Sequence, residues 1–542
     1  MRRSLFAVCC LLLTLQLSAQ DYSNYATQTS RLNALVKNYP GLASVQSLGK
    51  TNGNKDIWLL TLGSGKTAAK PAIAVVGGTE GAHLLGMELA IGFAEDLLKS
   101  ANTDSIKALL DKTTYYVFPN MSPDAMEQYF AKLKYERNGN ATETDDDRDG
   151  KLNEDGYDDL DGNGKITMMR VESPIGNYKI NPDDPRLLIK ADAAKGEKGK
   201  YLLLTEGIDN DKDGELNEDG EGGIAFNKNL TFKHHTFAPG AGDYPASEKE
   251  TRALLDFLYD AFNVYAVVSF GSNNNLSTPI SYNPSAARER ILSGWLEPDT
   301  RVNTMVSGMY NKIVPPKDAP KTSAGGGDFL SWAYFHYARY SFSTPGWWVP
   351  KVKPDSAKNE KAFTHDEPDA NYLRWAAHQG INNQFTAWKE IKNPDYPDQK
   401  VEVGGLDPFV TTNPPYKMVA DIAKKHTAFL VALAAEQAAI DIVNLKKEKL
   451  GNGLTRVSFD LINKGGLSTH SKLGERSYFL KKLKVAVKTD KQEIVGGRKI
   501  SLLSSLDASG SKSFSWVIKG TGKITIEAGC PTTGIKEIEV TL

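Results

Sequence analysis

Glu80 and His83 stand three residues apart in AVVGGTEGAHLLGMELA, where an apolar run (Ile73, Val75, Val76) breaks at Gly77-Gly78 before an amphipathic stretch begins. Both side chains coordinate metals, and a turn between strand and helix delivers them to the carboxyl edge of a sheet, where α/β enzymes place their chemistry. A second set of chemistry-bearing residues is acidic and repeats: DDDRDGKLNEDG at 145–156 is matched by DNDKDGELNEDG at 209–220. The first, third, fifth and eleventh places carry Asp145, Asp147, Asp149 and Asp155 in one copy, and Asp209, Asp211, Asp213 and Asp219 in the other. Asp159, Asp161 and Asn163 make a weaker third version between them. Alternating oxygens ahead of a turn glycine suit a hard cation, and calcium is the expected one. Gly156 and Gly220 stand where a sensing EF-hand carries its bidentate Glu, and no long helices flank the loops, so the expected calcium is structural. A disordered acidic insertion would explain the composition but not the repeated spacing.

Stepping along the chain, apolar spacing predicts a helix around Leu32, Leu35 and Val36, then strands at 43–48 and 57–62 across Asn52-Gly53. Strands at 73–76 and 115–118 flank a helix over 83–98, and further strands are expected at 265–270 and 339–343. Ser247 and Glu250 fit a capping box at the start of a helix that runs through Leu254, Leu255 and Leu258. Strands alternating with helices argue for α/β architecture with a mainly parallel sheet covered on both faces. After a long helix over 418–439 the period changes to two, in Val457, Phe459 and Leu461, then Leu483, Val485 and Val487, then Ile524 and Ile526, then Ile538 and Val540. That alternation predicts a small C-terminal antiparallel β-sandwich over 437–542, with a boundary near Glu436.

A formal net charge of -1 with 24% charged residues leaves no electrostatic footprint for nucleic acid. Met1-Arg2-Arg3, the apolar stretch 5–17 and the small residues at 18–19 read as a secretory signal over 1–19, so the expected location is secreted or periplasmic. The mature chain keeps only Cys530, which rules out an internal disulfide, and no second stretch approaches membrane-spanning length.

The 74–90 segment resembles the signature turn of the zinc carboxypeptidases, the carboxypeptidase A-like metallopeptidases, with the two ligand types exchanged: Glu80 stands at that family's His and His83 at its Glu. Four further stretches resemble the same family. They are FPNMSPDA at 118–125, FNKNL at 226–230 with YPASE at 244–248, VSFGS at 268–272, and WAY at 332–334 with YSFSTP at 340–345. The resemblance implies a central mixed sheet of about eight strands flanked by helices, spanning 20–436 with the acidic insertion at 145–220. It also implies a zinc held by three side chains, a general base and a clamp on the substrate's terminal carboxylate. At those positions this chain carries Glu80 and His83, then Gly271 for the third ligand, Pro345 for the base, Lys228 for the clamping Arg, and Asn227 unchanged.

With two ligands in place of three, zinc retention is in doubt, whereas calcium is expected in the acidic loops. The expected function is that of a pseudopeptidase whose cleft keeps binding a peptide or a peptidoglycan-derived fragment. The alternatives are an active metallocarboxypeptidase with a rearranged zinc site and a calcium-stabilised surface scaffold.

Overall fold

The computed structural model describes residues 21–146, 148–220, 222–322, 325–354, 363–365 and 367–542. The expected signal segment and Asp147 lie outside them. The main unit begins with α1 (Tyr25–Asn38), β1 (Ala43–Lys50), β2 (Asp56–Leu62), β3 (Ala72–Val76), α2 (Leu84–Lys99), α3 (Asp104–Lys112), β4 (Thr114–Phe118) and the single turn α4 (Pro123–Met126). Then come β5 (Met168–Glu172), β6 (Tyr178–Ile180), β7 (Leu188–Lys190), β8 (Tyr201–Thr205), α5 (Lys249–Asp260), β9 (Val264–Phe270), α6 (Glu297–Ile313), α7 (Phe329–Phe335) and β10 (Tyr340–Thr344). The unit closes with α8 (Pro368–His378), β11 (Phe385–Ile391), β12 (Val401–Leu406) and α9 (Val419–Ala435).

The central sheet is mixed, in the order β1-β2-β4-β3-β9-β10, with β4, β3, β9 and β10 mutually parallel and β1 and β2 antiparallel. Every residue of the four parallel strands is buried; β3 reads as an unbroken apolar run, whereas β10, YSFST, buries Ser341, Ser343 and Thr344 among its rings. Within β3 the side chains still alternate: Ile73 and Val75 join the core under α2 and α9, while Ala72, Ala74 and Val76 join the one under α5 and α7. The sheet has six strands among the described residues, against about eight expected. The remaining strands pair with one another, in a separate antiparallel sheet of order β11-β12-β5-β8-β6-β7. Its core is Met169, Val171, Val401 and Val403, so the middle of the acidic insertion is ordered strand rather than loop throughout.

After α9 the chain forms β13 (Ile440–Gly451), β14 (Leu454–Asn463), β15 (Leu483–Lys488), β16 (Glu493–Gly496), β17 (Ile500–Leu503), β18 (Ser511–Lys519), β19 (Lys523–Cys530) and β20 (Gly534–Thr541). They make two four-stranded antiparallel sheets, β13-β14-β18-β16 and β17-β15-β19-β20. Val457, Phe459, Leu461, Leu483, Val485, Val487, Ile524, Ile526 and Val540 face inward between them, as their period-two spacing predicts. No helix among the described residues is long and apolar enough to cross a membrane.

Candidate active site and acidic loops

β3 has β4 on one side and β9 on the other, and the chain ends that leave β3, β9 and β10 meet at one edge of the sheet. Parallel sheets open a crevice at such a reversal of strand order. Glu80 follows β3, Gly271 follows β9 and Pro345 follows β10, so three of the positions named from sequence converge there. The turn after β3 needs its glycines: a Cβ at Gly77 would lie 2.5 Å from the carbonyls of Gly86 and Pro119.

Glu80 is tied down from four directions. Its Oε1 accepts from Asn227 Nδ2 at 2.5 Å, from Ser272 Oγ at 2.7 Å and from Ser272 N at 3.2 Å, and its Oε2 accepts from Thr79 Oγ1 at 2.6 Å. Asn227 in turn accepts from the Phe329 N–H at 2.8 Å, which fixes its amide against the start of α7. A Cβ on Gly271 would fall 2.2 Å from Thr79 Oγ1 and 2.5 Å from Glu80 Oε2. The Glu80 and Thr79 side chains therefore occupy the room that a ligand at position 271 would need.

His83 stands just before the first residue of α2 and is buried, and its Nε2 lies 3.0 Å from the Pro345 carbonyl. A carbonyl only accepts, so Nε2 carries a proton where it meets Pro345. Nδ1 lies beside the first turn of the helix, 3.0 Å from where a Cβ on Gly86 would stand, and the Phe270 carbonyl is close to the same point. Burial holds the imidazole below its ordinary pKa, although the Glu80 carboxylate and the Pro345 and Phe270 carbonyls pull the other way. Pro345, at the family's base position, thus contributes a backbone carbonyl that holds His83. Lys228 is exposed, its ammonium donating to the Pro239 carbonyl at 3.0 Å. A catalytic zinc takes three protein ligands and an open place for water. Glu80, His83 and a glycine fall short of that donor set, and no trio of metal-ligating side chains gathers at this edge among the described residues.

Sequence reasoning missed Thr79 and Asp328, and placed Ser272 only in the VSFGS stretch at the strand end, without its bond to Glu80. Asp328 caps α7 by accepting from Ser331 N, also accepts from Asn273 Nδ2 at 3.2 Å, and is pushed up by burial, with the Glu80 charge nearby adding to the rise. Asn273, Asn274 and Asn275 are buried turn residues that bond Asp328, the Pro320 carbonyl and the Ser341 carbonyl. Nor does the expected capping box form: the N-cap of α5 is Glu248, and Ser247 Oγ bonds its carboxylate instead. Glu248 Oε2 and Glu250 Oε1 both accept from the Asn140 amide nitrogen, at 2.7 and 2.6 Å. Burial, with Glu248 and Asp124 close by, pushes Glu250 up to about 7.

The two acidic repeats face each other. Asp155, at the eleventh place of the first, accepts from the backbone N–H groups of Asn210 and Asn217 in the second, and Asp219, at the same place of the second, accepts from Asp146 N at 2.6 Å. Carboxylate oxygens gather within 4.8 Å of one another in three groups. Asp209, Asp211 and Asp213 form one inside the second loop; Asp149 and Glu154 form another with Asp211 of the opposite loop; Asp159 and Asp161 form the third with Glu206. Asp145 accepts from Gly150 N, and Asn163 from Lys165 N, outside these groups. Glu154 occupies the tenth place and has its counterpart in Glu218, a repeat the sequence already displays; Glu206 comes from the end of β8 and carries no sequence signal. Burial and the adjacent Asp155 push Glu218 up to about 7, a sign of crowded carboxylates.

A family model described as zinc carboxypeptidase matches residues 29–345, more than half of the chain. The chain belongs to the zinc carboxypeptidase family. A second model, described only as a domain of unknown function, matches 439–541. Among curated relatives, carboxypeptidase D of Homo sapiens is 29% identical over 21% of this chain and 9% of its own length. Carboxypeptidase B of Astacus astacus is 28% identical over 20% of this chain and 35% of its own length. The matched stretch is thus a small part of each relative. Among solved structures, thrombin activatable fibrinolysis inhibitor superposes with a TM-score of 0.39 at 14% identity, covering 66% of this chain and 72% of that one. Carboxypeptidase A of Helicoverpa armigera gives 0.38 at 11%, covering 76% and 73%. Membership stands on the family match, not on superpositions of that size.

Proposed function

We propose that this chain is a secreted or periplasmic pseudopeptidase, in which the carboxypeptidase cleft has given up hydrolysis and keeps the binding of a peptide or a peptidoglycan-derived fragment. The observation that carries the reading is the Glu80 side chain lying over Gly271, in the space of the third ligand, with Asn227, Ser272 and Thr79 holding it there. Without three ligands there is no zinc-activated water, and without a titratable group at 345 there is no base at the family's position. Purified mature protein given excess zinc should release no C-terminal amino acid from peptides above a protein-free blank. Chelator-sensitive turnover would replace this reading with the active enzyme of rearranged site.

The acidic loops support a second element of the reading, structural calcium. Asp149 and Glu154 of one repeat converge with Asp211 of the other, an arrangement in which one cation would tie the two loops together. The bound metal would be calcium rather than zinc, because the donors are all hard oxygens.

A further inference from the structure

Between β14 and β15 the chain leaves the sandwich and lies against the main unit. Leu473 joins the apolar cluster of Trp295 and Tyr334, Ser471 Oγ donates to the Ala338 carbonyl at 3.0 Å, and His470 Nε2 meets the Lys481 carbonyl at 3.1 Å. Leu480 is buried, and the Phe479 ring packs on Tyr259 of α5 with centroids 4.7 Å apart. These anchors leave Tyr478 standing outward. Its exposure is 97%, against 49% for Phe479 beside it, so the ring adds nothing to the packing of the fold that carries it.

Cations flank the ring in sequence. Arg476, Lys481 and Lys482 are exposed, and none of them is ion-paired among the described residues. Acids of the sandwich are taken by other lysines: Glu475 by Lys472 at 2.7 Å, and Glu527 by Lys484 and Lys488. Lys481 holds its ammonium 4.4 Å over the Phe262 ring. Beside Tyr478 opens a cavity of about 400 Å3, walled by Tyr259, Phe335, Leu473 and Phe479 together with Arg476, and no carboxylate lines it. The formal net charge of the whole chain is -1, so attraction at long range is not what this patch offers. Its cations act over a Debye length, roughly 8 Å at physiological salt. An exposed ring with a polar tip, unpaired cations and an apolar recess are accommodated together at the boundary between lipid headgroups and acyl chains. An acidic polymer would engage the cations but leave Tyr478 and the recess without a role.

We propose that Tyr478 and Phe479, with the cations Arg476, Lys481 and Lys482, dock the protein on a phospholipid surface that carries anionic headgroups. The phenol ring enters the headgroup layer, where its apolar body and its hydroxyl are both satisfied, while the cations reach lipid phosphates. The surface lies where the two units meet and shares no residue with the Glu80 cleft, so it stands or falls separately from the pseudopeptidase reading.

The test is cosedimentation of the mature full-length protein with vesicles of phosphatidylcholine alone, and with vesicles in which phosphatidylglycerol makes up about a third of the lipid. The protein should sediment with the anionic vesicles, be released from them at high salt, and stay in solution with the neutral ones. Arg476→Gln/Lys482→Gln should weaken the partition about tenfold or more, and Tyr478→Ser about fivefold, with the thermal melt of both unmoved because the side chains are exposed. Tyr478→Trp keeps an interfacial ring and should bind at least as well as the native chain. No sedimentation with anionic vesicles, or native-like sedimentation of either the glutamine pair or Tyr478→Ser, would overturn the proposal. So would retention on heparin without vesicle binding, which would hand the cations to an acidic polymer.

Discussion

Gly271 is the residue on which the cleft turns. A methyl group there would press on Thr79 Oγ1 and Glu80 Oε2, so Gly271→Ala should destabilise the protein by about 1–3 kcal/mol, the usual cost of overpacking. In a Glu80→Ala background the same change should cost less, and a double-mutant cycle read by denaturant unfolding would expose the coupling; strict additivity would mean that the two do not touch. Glu250 is the residue to watch as pH changes. Its folded pKa of about 7 lies above the ordinary carboxylate value, so between the two the folded state holds a proton that the unfolded state has lost. The sign follows: stability from this group is full below about pH 4.5, falls as pH rises to about 7, and is flat beyond. Glu250→Gln, which mimics the protonated form beside Glu248 and Asp124, should therefore flatten that fall, by up to about 3 kcal/mol between pH 5 and 8. An unchanged pH profile of the melt would remove Glu250 from the account. Residue identities pointed to Gly271 and Pro345 as the positions where the proposed site lacks a ligand and a base. They gave no hint that Glu80 lies over Gly271 or that the Pro345 carbonyl meets His83, because both depend on three chain ends meeting in space.

Among the elements, the acidic loops were readable as a repeated calcium-type spacing, and most of the buried parallel strands as apolar runs between helices. The partnership between the loops was not, because Asp211 reaches Asp149 and Glu154 across some sixty positions of sequence, a distance no local pattern reports. The second antiparallel sheet escaped for a similar reason: β12 and β11 lie far along the chain from β5, and alternation in short strands does not say which sheet they will join. If a cation ties the loops, removing calcium with EGTA should lower the melting temperature, since a ligand bound only to the folded state adds about 2.7 kcal/mol at a hundredfold excess over its Kd. Asp211 belongs to two of the three oxygen groups, so Asp211→Ala should shrink the calcium-dependent shift more than Asp161→Ala does. Equal melts with and without calcium would leave the loops as solvated acids only.

On the scale of the whole molecule, the C-terminal sandwich is joined to the main unit by Leu467 and Leu473, which sit in that unit's apolar clusters, and by buried polar contacts. The Asp299 carboxylate, near the start of α6, accepts from the N–H groups of Lys472 and Leu473 and from the Tyr334 hydroxyl, and the Tyr340 hydroxyl donates to the His470 carbonyl. Asp299→Ala would leave several donors unsatisfied at a cost on the order of 3 kcal/mol. It should split a joint calorimetric transition into two, the sandwich melting apart from the rest; a single transition merely shifted downward would assign Asp299 to the main unit alone. The position of Glu80 over Gly271 also has a consequence for any rebuilt zinc site. On the pseudopeptidase reading, a third ligand at 271 would have to displace the Thr79 hydroxyl and the Glu80 carboxylate, both of which lie within 2.5 Å of its Cβ. A third ligand would then come with rearrangement of Thr79 and Glu80 and not as a single exchange at 271.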